Sequence, residues 1–130
     1  MTASSYRAAA GRVLAVAYLR TDLSGDARVL DEHRMKRLSV RFGYELCDFI
    51  RVDAAQVHRL MLLAERIRMY GAEAVFVPTV GHLDGQLTRV VAQADVIEQN
   101  GETYARWSPI AIMLGDLVFG RPVEGGRWTS

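Results

Sequence analysis

The chain has 130 residues, 50% of them apolar and 24% charged, enough for one domain to close a hydrophobic core without disulfides or a metal. Sixteen basic against fifteen acidic residues leave a net charge of +1, so the chain as a whole lacks the electrostatic footprint of a nucleic-acid binder, and any DNA contact must come from a local patch. Cys47 is the only cysteine, which excludes an internal disulfide framework and a cysteine-based zinc site and fits a reducing cytoplasm, while no apolar run approaches the roughly 20 residues of a membrane span.

Residues 1–11 lack the apolar stretch of a secretory signal and read as a loosely ordered lead-in to a domain over 12–120. "VLAVAYL" (13–19) is continuously apolar, as expected of a central strand covered on both faces. From Ala27 to Phe42, Leu30, Leu38 and Phe42 recur at multiples of four with Met35 beside them, which predicts a first helix stopped by Gly43. Five basic residues on it, Arg28, Arg34, Lys36, Arg37 and Arg41, are interrupted by Asp31 and Glu32 and read as a solvated face, with nucleic-acid contact as the second reading.

"YELCDFIRV" (44–52) alternates like a strand nearer the edge. Asp53 can cap a second helix with Val57, Leu60, Met61, Ala64 and Ile67 as its apolar stripe and Gly71 as its end. "EAVFVP" (73–78) is another buried strand, and Leu83, Leu87, Val90, Val91, Ala94 and Ile97 suggest a third helix. "NG" (100–101) turns the chain into a fourth strand, "ETYARW" (102–107). Strands alternating with helices predict an α/β fold: a mostly parallel sheet of about four strands with helices on both faces.

In such a sheet ligands gather outside the carboxyl ends of the strands. The first tip carries Tyr18, Arg20, Asp22, Ser24 and Asp26, and the third carries Thr79, His82 and Asp84. Read plainly, Tyr18 and Arg20 make a rim contact between ring and guanidinium, Asp22 caps the turn by accepting from the Ser24 or Gly25 N–H, and His82 is a polar loop residue. Asp22, Asp26 and Asp84 together allow a second reading as a divalent-cation or small-ligand site, but their spacing specifies no ligand set, so no metal and no cofactor is assigned. A phosphoacceptor receiver would want an acid directly at the third tip, where Pro78 and Thr79 stand.

These same residues carry a resemblance. Tyr18 and Arg20, then Leu30 and Asp31 at the opening of the first helix, then "TVGHLDG" (79–85) after the third strand follow the order "Y-x-R-x-S", "L-D-x-Q", "K-L-D-R-L-G-R". Over roughly residues 12–118 the chain resembles the N-terminal catalytic domain of the serine recombinases, the resolvases and invertases. The resemblance implies a flavodoxin-like, resolvase-like sheet and a DNA strand-exchange ancestry. It also marks departures: Asp22 stands where the family has its nucleophilic serine, His33 replaces the Gln, Gly81 stands at the acid, and His82 and Gly85 stand at two arginines. The loop that supplies a further arginine ahead of the second helix is shortened to "VDAAQ" (52–56).

A carboxylate at Asp22 repels the phosphodiester anion that a recombinase attacks, and an imidazole does not replace the permanent two-pronged charge of an arginine. Losing one such donor typically costs about 10²- to 10³-fold in rate, so the expectation is a vestigial site at Tyr18, Arg20, Asp22 and His82 with no intact catalytic residue. The alternative nucleophile is Ser24, displaced by two residues, although catalysis tolerates little more than about 1 Å of misplacement. If Arg20 is locked to Asp22, the phosphate pocket is filled from within.

"SPIAIMLGDLVFG" (108–120) has a Ser cap, Pro at the first helical position and apolar residues on nearly every side. In recombinases the corresponding helix pairs two catalytic domains and leads into a DNA-reading module; here "RPVEGGRWTS" (121–130) follows as a tail, and no such module is expected. The surplus apolar surface on Ile110, Ile112, Met113, Leu117, Val118 and Phe119 points to a two-fold homodimer. The sequence therefore suggests an inactive recombinase-like domain that associates with itself or with a recombinase or DNA-bound partner, with direct DNA binding weak or absent. The competing expectation is a DNA strand-exchange or nicking enzyme using Ser24.

Overall fold

The computed structural model describes residues 13–106 and the backbone of 123–124 and 126–128. The sheet begins with β1 (Val13–Arg20) and β2 (Tyr44–Val52), continues through β3 (Ala74–Val77) and β4 (Asp95–Glu98), and closes with β5 (Thr103–Tyr104). Its strand order is β2-β1-β3-β4-β5. The first four strands pair parallel and β5 joins β4 antiparallel, so the sheet is mostly parallel with five strands instead of about four. This is the flavodoxin-like order, in which the direction of winding reverses between β1 and β3.

Between the strands lie α1 (Thr21–Ser24), α2 (Arg28–Arg41), α3 (Arg59–Tyr70) and α4 (Leu87–Val91). Strand alternation sorts the core into two layers. Ala15, Ala17 and Leu19 of β1 pack with Ala74, Phe76 and Ile97 against Met35 and Leu38 of α2. Val16 and Tyr18 point to the opposite face, with Val75, Val77 and Val96, under Leu63 and Ile67 of α3 and Leu87, Val90 and Val91 of α4. Because β1 is covered on both sides, six of its eight residues are buried, which is why it reads as an unbroken apolar run.

Helix α2 ends as expected at Gly43, whose φ of 83° is costly for a side-chain-bearing residue. Its inward stripe is Asp31, Met35, Leu38 and Ser39, however, leaving Leu30 and Phe42 exposed. Helix α3 ends in a left-handed Gly71, with the Ala72 N–H returning to the Ile67 carbonyl. It starts later than Asp53: the Asp53 carboxylate accepts the Ala55 N–H in a local turn, and the helix opens at Arg59. That late start turns Val57 and Met61 outward, 82% and 67% exposed, and puts Leu63 with Ile67 against the sheet.

The third helix is also shorter than its apolar spacing suggests. Leu83 closes a 3₁₀ turn (Val80–Leu83), α4 stops at Val91, and Val96 and Ile97 lie in a strand beside Val75 and Phe76. Two adjacent residues buried on opposite faces are what a parallel strand between two helical layers requires, and the pairing with β3 overrides the helical spacing. The Asn100–Gly101 turn forms as expected, with Gly101 at φ 95° and its N–H donating to the Glu98 carbonyl. Among the described residues the strand after it covers Thr103–Tyr104 of the expected 102–107, the last of which lies outside them.

The lead-in 1–11 and the apolar segment 108–120, with Ile110, Ile112, Met113, Leu117, Val118 and Phe119, lie outside the described residues. In the tail, β6 (Val123–Glu124) and β7 (Gly126–Trp128) pair antiparallel. Among the described residues no helix is long and apolar enough to cross a membrane.

Candidate functional site

The winding reverses between β1 and β3, where a fold of this order places its ligand crevice, and the carboxyl ends of these strands bring Arg20, Asp22, His82 and Asp84 together. Arg20 is the last residue of β1. Its guanidinium forks onto Asp22, with Nε donating to Oδ1 at 3.2 Å and Nη2 to Oδ2 at 2.6 Å. Nη1 donates to Asp84 Oδ1 at 2.6 Å. The other Asp84 oxygen accepts from Arg59 Nε at 2.9 Å, and Arg59 Nη1 also donates to the Gln56 carbonyl at 2.8 Å. Two arginines and two aspartates thus form one chain, Asp22–Arg20–Asp84–Arg59, with no net charge.

Local backbone geometry places the acids. Asp22 sits in α1, the single helical turn that directly follows β1, and the Thr21 hydroxyl ties that turn to β2 by donating to the Val52 carbonyl at 3.2 Å. Asp84 adopts the left-handed conformation, φ 57°, at the end of the 3₁₀ turn, a geometry that aspartate tolerates better than most residues. The segment after β3 is anchored by Glu98, whose carboxylate accepts the Val80 N–H at 2.7 Å.

The pairing is visible in the protonation of these groups. The hydrogen bond from Arg20 holds the Asp22 carboxyl below its usual range, against some loss of hydration, and the bond to Asp22 raises the Arg20 guanidinium further. Tyr18 lies beneath the cluster, fully buried, and its hydroxyl has no hydrogen-bond partner among the described residues. Burial pushes its phenol up to about 12, with Asp84 adding to the rise and Arg59 and Arg20 opposing it. The expected rim contact between Tyr18 and Arg20 is replaced by a ring sealed in the core, because residue 18 points into the layer under α3 and α4.

Ser24 and His82 also differ from their plain readings. Ser24 is 8% exposed, and its Oγ donates to Asp31 Oδ2 at 2.7 Å, so the hydroxyl is committed to α2. His82 is 5% exposed, and its Nδ1 accepts the Arg20 backbone N–H at 2.9 Å, fastening the loop after β3 to the end of β1. Burial lowers its pKa, the Asp31 charge works against that shift, and the Arg20 charge adds to it. Asp22 fills its carboxylate with Arg20 rather than capping the turn through Ser24 or Gly25. Of the three acids considered together for a cation, Asp22 and Asp84 are bound to arginines and Asp26 is exposed on the next turn. No group of three potential metal ligands occurs among the described residues.

Arg59 is the residue that sequence reading missed. The short loop before α3 suggested no further arginine at the site, yet the first residue of α3 reaches across to Asp84. Its one advance signal is position, since the first turn of a helix following a strand in this topology opens toward the carboxyl edge of the sheet. Gly81 and Gly85 bring no side chain to the crevice. Comparison of the chain with protein-family models, with curated proteins and with solved structures finds no match.

Proposed function

We propose that this chain is a catalytically silent domain of serine-recombinase type, acting by association with a second copy or with a recombinase or DNA-bound partner. The observation that carries the reading is the closed ion-pair chain at the strand tips. A phosphodiester entering the crevice needs unpaired arginines, and both arginines there are already held by internal carboxylates. Asp22 stands where the resemblance calls for a nucleophile, and a carboxylate held ionised by Arg20 repels an incoming phosphate. Ser24, the displaced alternative, is turned away into its bond with Asp31.

Incubation with supercoiled plasmid followed by denaturing gel analysis tests the loss of chemistry. No covalent protein–DNA adduct is expected, and an adduct abolished by Ser24→Ala would overturn the reading. Sedimentation of the parent beside Leu117→Asp tests association. A dimer in the parent and a monomer in the variant is the expected pair, and two monomers would refute self-association.

A further inference from the structure

The basic run of α2 is interrupted in sequence by Asp31 and Glu32, but in space neither acid pairs with Arg34, Lys36, Arg37 or Arg41 among the described residues. Asp31 is buried and accepts the Ser24 hydroxyl. Glu32 is taken by Arg51, whose Nε and Nη2 both donate at 2.7 Å, and by Arg28 at 3.3 Å. Arg34, Arg37 and Arg41 are exposed and have no ion pair among the described residues. At intervals of three and four they fall on one face of the helix, and Lys36 lies off it. With Leu38 and Gln99 these three arginines line a cleft of about 150 Å³. The Gln99 Oε1 is buried there without a partner among the described residues.

The geometry points to a nucleic-acid backbone contact on this face, with Arg34, Arg37 and Arg41 each holding a phosphate of one strand. Arg34 and Arg41 are seven residues apart, so at about 1.5 Å rise the outer two stems stand roughly 10 Å apart along the helix, with Arg37 between them, within reach of successive phosphates for side chains of this length. The cleft is far smaller than the roughly 300 Å³ and more of a small-molecule pocket, which disfavours a whole nucleotide and suits backbone groups that pass along the surface. Arginine is the side chain best matched to phosphate oxygens, because its planar fork donates two parallel bonds. The contact carries no base readout, since no groove-reading element accompanies the stripe among the described residues, so it positions the chain on DNA without choosing a sequence. This inference is independent of the silent strand tip: either can hold without the other.

Salt dependence tests it. Fluorescence anisotropy of the full chain with a labelled random-sequence duplex is expected to give weak binding whose log K falls against log [KCl] with a slope of about −2.7, the value for three phosphates. Between 50 and 200 mM salt that slope corresponds to a loss of about 40-fold. Arg37→Gln should make the slope shallower by about 0.9, Arg34→Gln/Arg37→Gln/Arg41→Gln should abolish binding, and Arg68→Gln on α3 should leave it unchanged. Thermal melts matching the parent certify that the variants are folded. No binding by the parent at 50 mM salt, or equal slopes for parent and triple variant, overturns the inference. Tighter binding of an acidic polypeptide than of the duplex, lost in the triple variant, also overturns it and assigns the face to a protein partner.

Discussion

Replacing Tyr18 with Phe removes a single oxygen from the centre of the fold and should stabilise the protein. The ring is fully buried under α3 and α4, so Phe keeps the packing, and the hydroxyl has no partner among the described residues. Leaving such a group dry costs about 1–3 kcal/mol, of which a modest relaxation of the site recovers part, so a gain of about 1 kcal/mol is expected. With a urea m-value of about 1.5 kcal/mol/M that is a rise of roughly 0.7 M in the unfolding midpoint at constant m. In a thermal melt it is about 3–5 °C. The same substitution has an alkaline signature. The folded phenol at about 12 lies above its ordinary value of 10.0, so the unfolded chain loses its proton first and the parent loses stability as pH rises from about 10 to 12. The Phe variant lacks that contribution and should overtake the parent further in this window. A variant less stable than the parent by more than about 0.5 kcal/mol at neutral pH would show that the hydroxyl is hydrogen-bonded and refute the reasoning.

Three further outcomes follow from the same site. Ser24→Ala leaves the buried Asp31 carboxylate without the hydroxyl that donates to it and should cost about 1–3 kcal/mol in urea unfolding, with an unchanged midpoint counting against that bond. His82 has a folded pKa below its unfolded value of about 6.5, so the unfolded chain takes up the proton first and stability should decline as pH falls through 6.5; an equal decline in His82→Gln between pH 7 and 5 would rule out this imidazole as the cause. Asp22→Asn/Asp84→Asn frees Arg20 and Arg59 from their carboxylates, so millimolar inorganic phosphate should raise the melting temperature of the double variant by roughly 3–5 °C and leave the parent unmoved. A phosphate shift of the same size in the parent would mean that the crevice is already open to anions.

The elements most legible in the sequence are those whose burial is uniform. Val13–Arg20 is covered on both faces and announces itself as an apolar run, and Gly43 and Gly71 mark helix ends because the chain there adopts positive φ. Where burial is one-sided the pattern misleads. Val57 and Met61 extend the spacing of α3 but lie before the point, or on the side, at which the helix meets the sheet. Ile97 continues a helical spacing from Leu87, Val90 and Ala94, yet hydrogen bonding beside β3 makes it part of a strand. Spacing records which residues are apolar and not which neighbour covers them.

At the candidate site, residue types and strand tips alone placed Tyr18, Arg20, Asp22, Ser24, His82 and Asp84 near one edge. What the side chains do there came only from the packed structure. Arg20 and Asp84 are 64 residues apart, Arg59 and Asp84 are 25 apart, and their union depends on three different elements opening onto one crevice. Tyr18 and Arg20 are separated in fate by depth alone: both point to the same face of β1, but one ends inside the core and the other at its rim. Of the acids that interrupt the basic helix in sequence, Asp31 is taken by Ser24 and Glu32 by Arg51 and Arg28, so neither reaches Arg34, Arg37 or Arg41. Local periodicity marks the uniformly buried elements and which side chains are available, whereas charge compensation is a property of distance in space, and only the tertiary fold sets that distance.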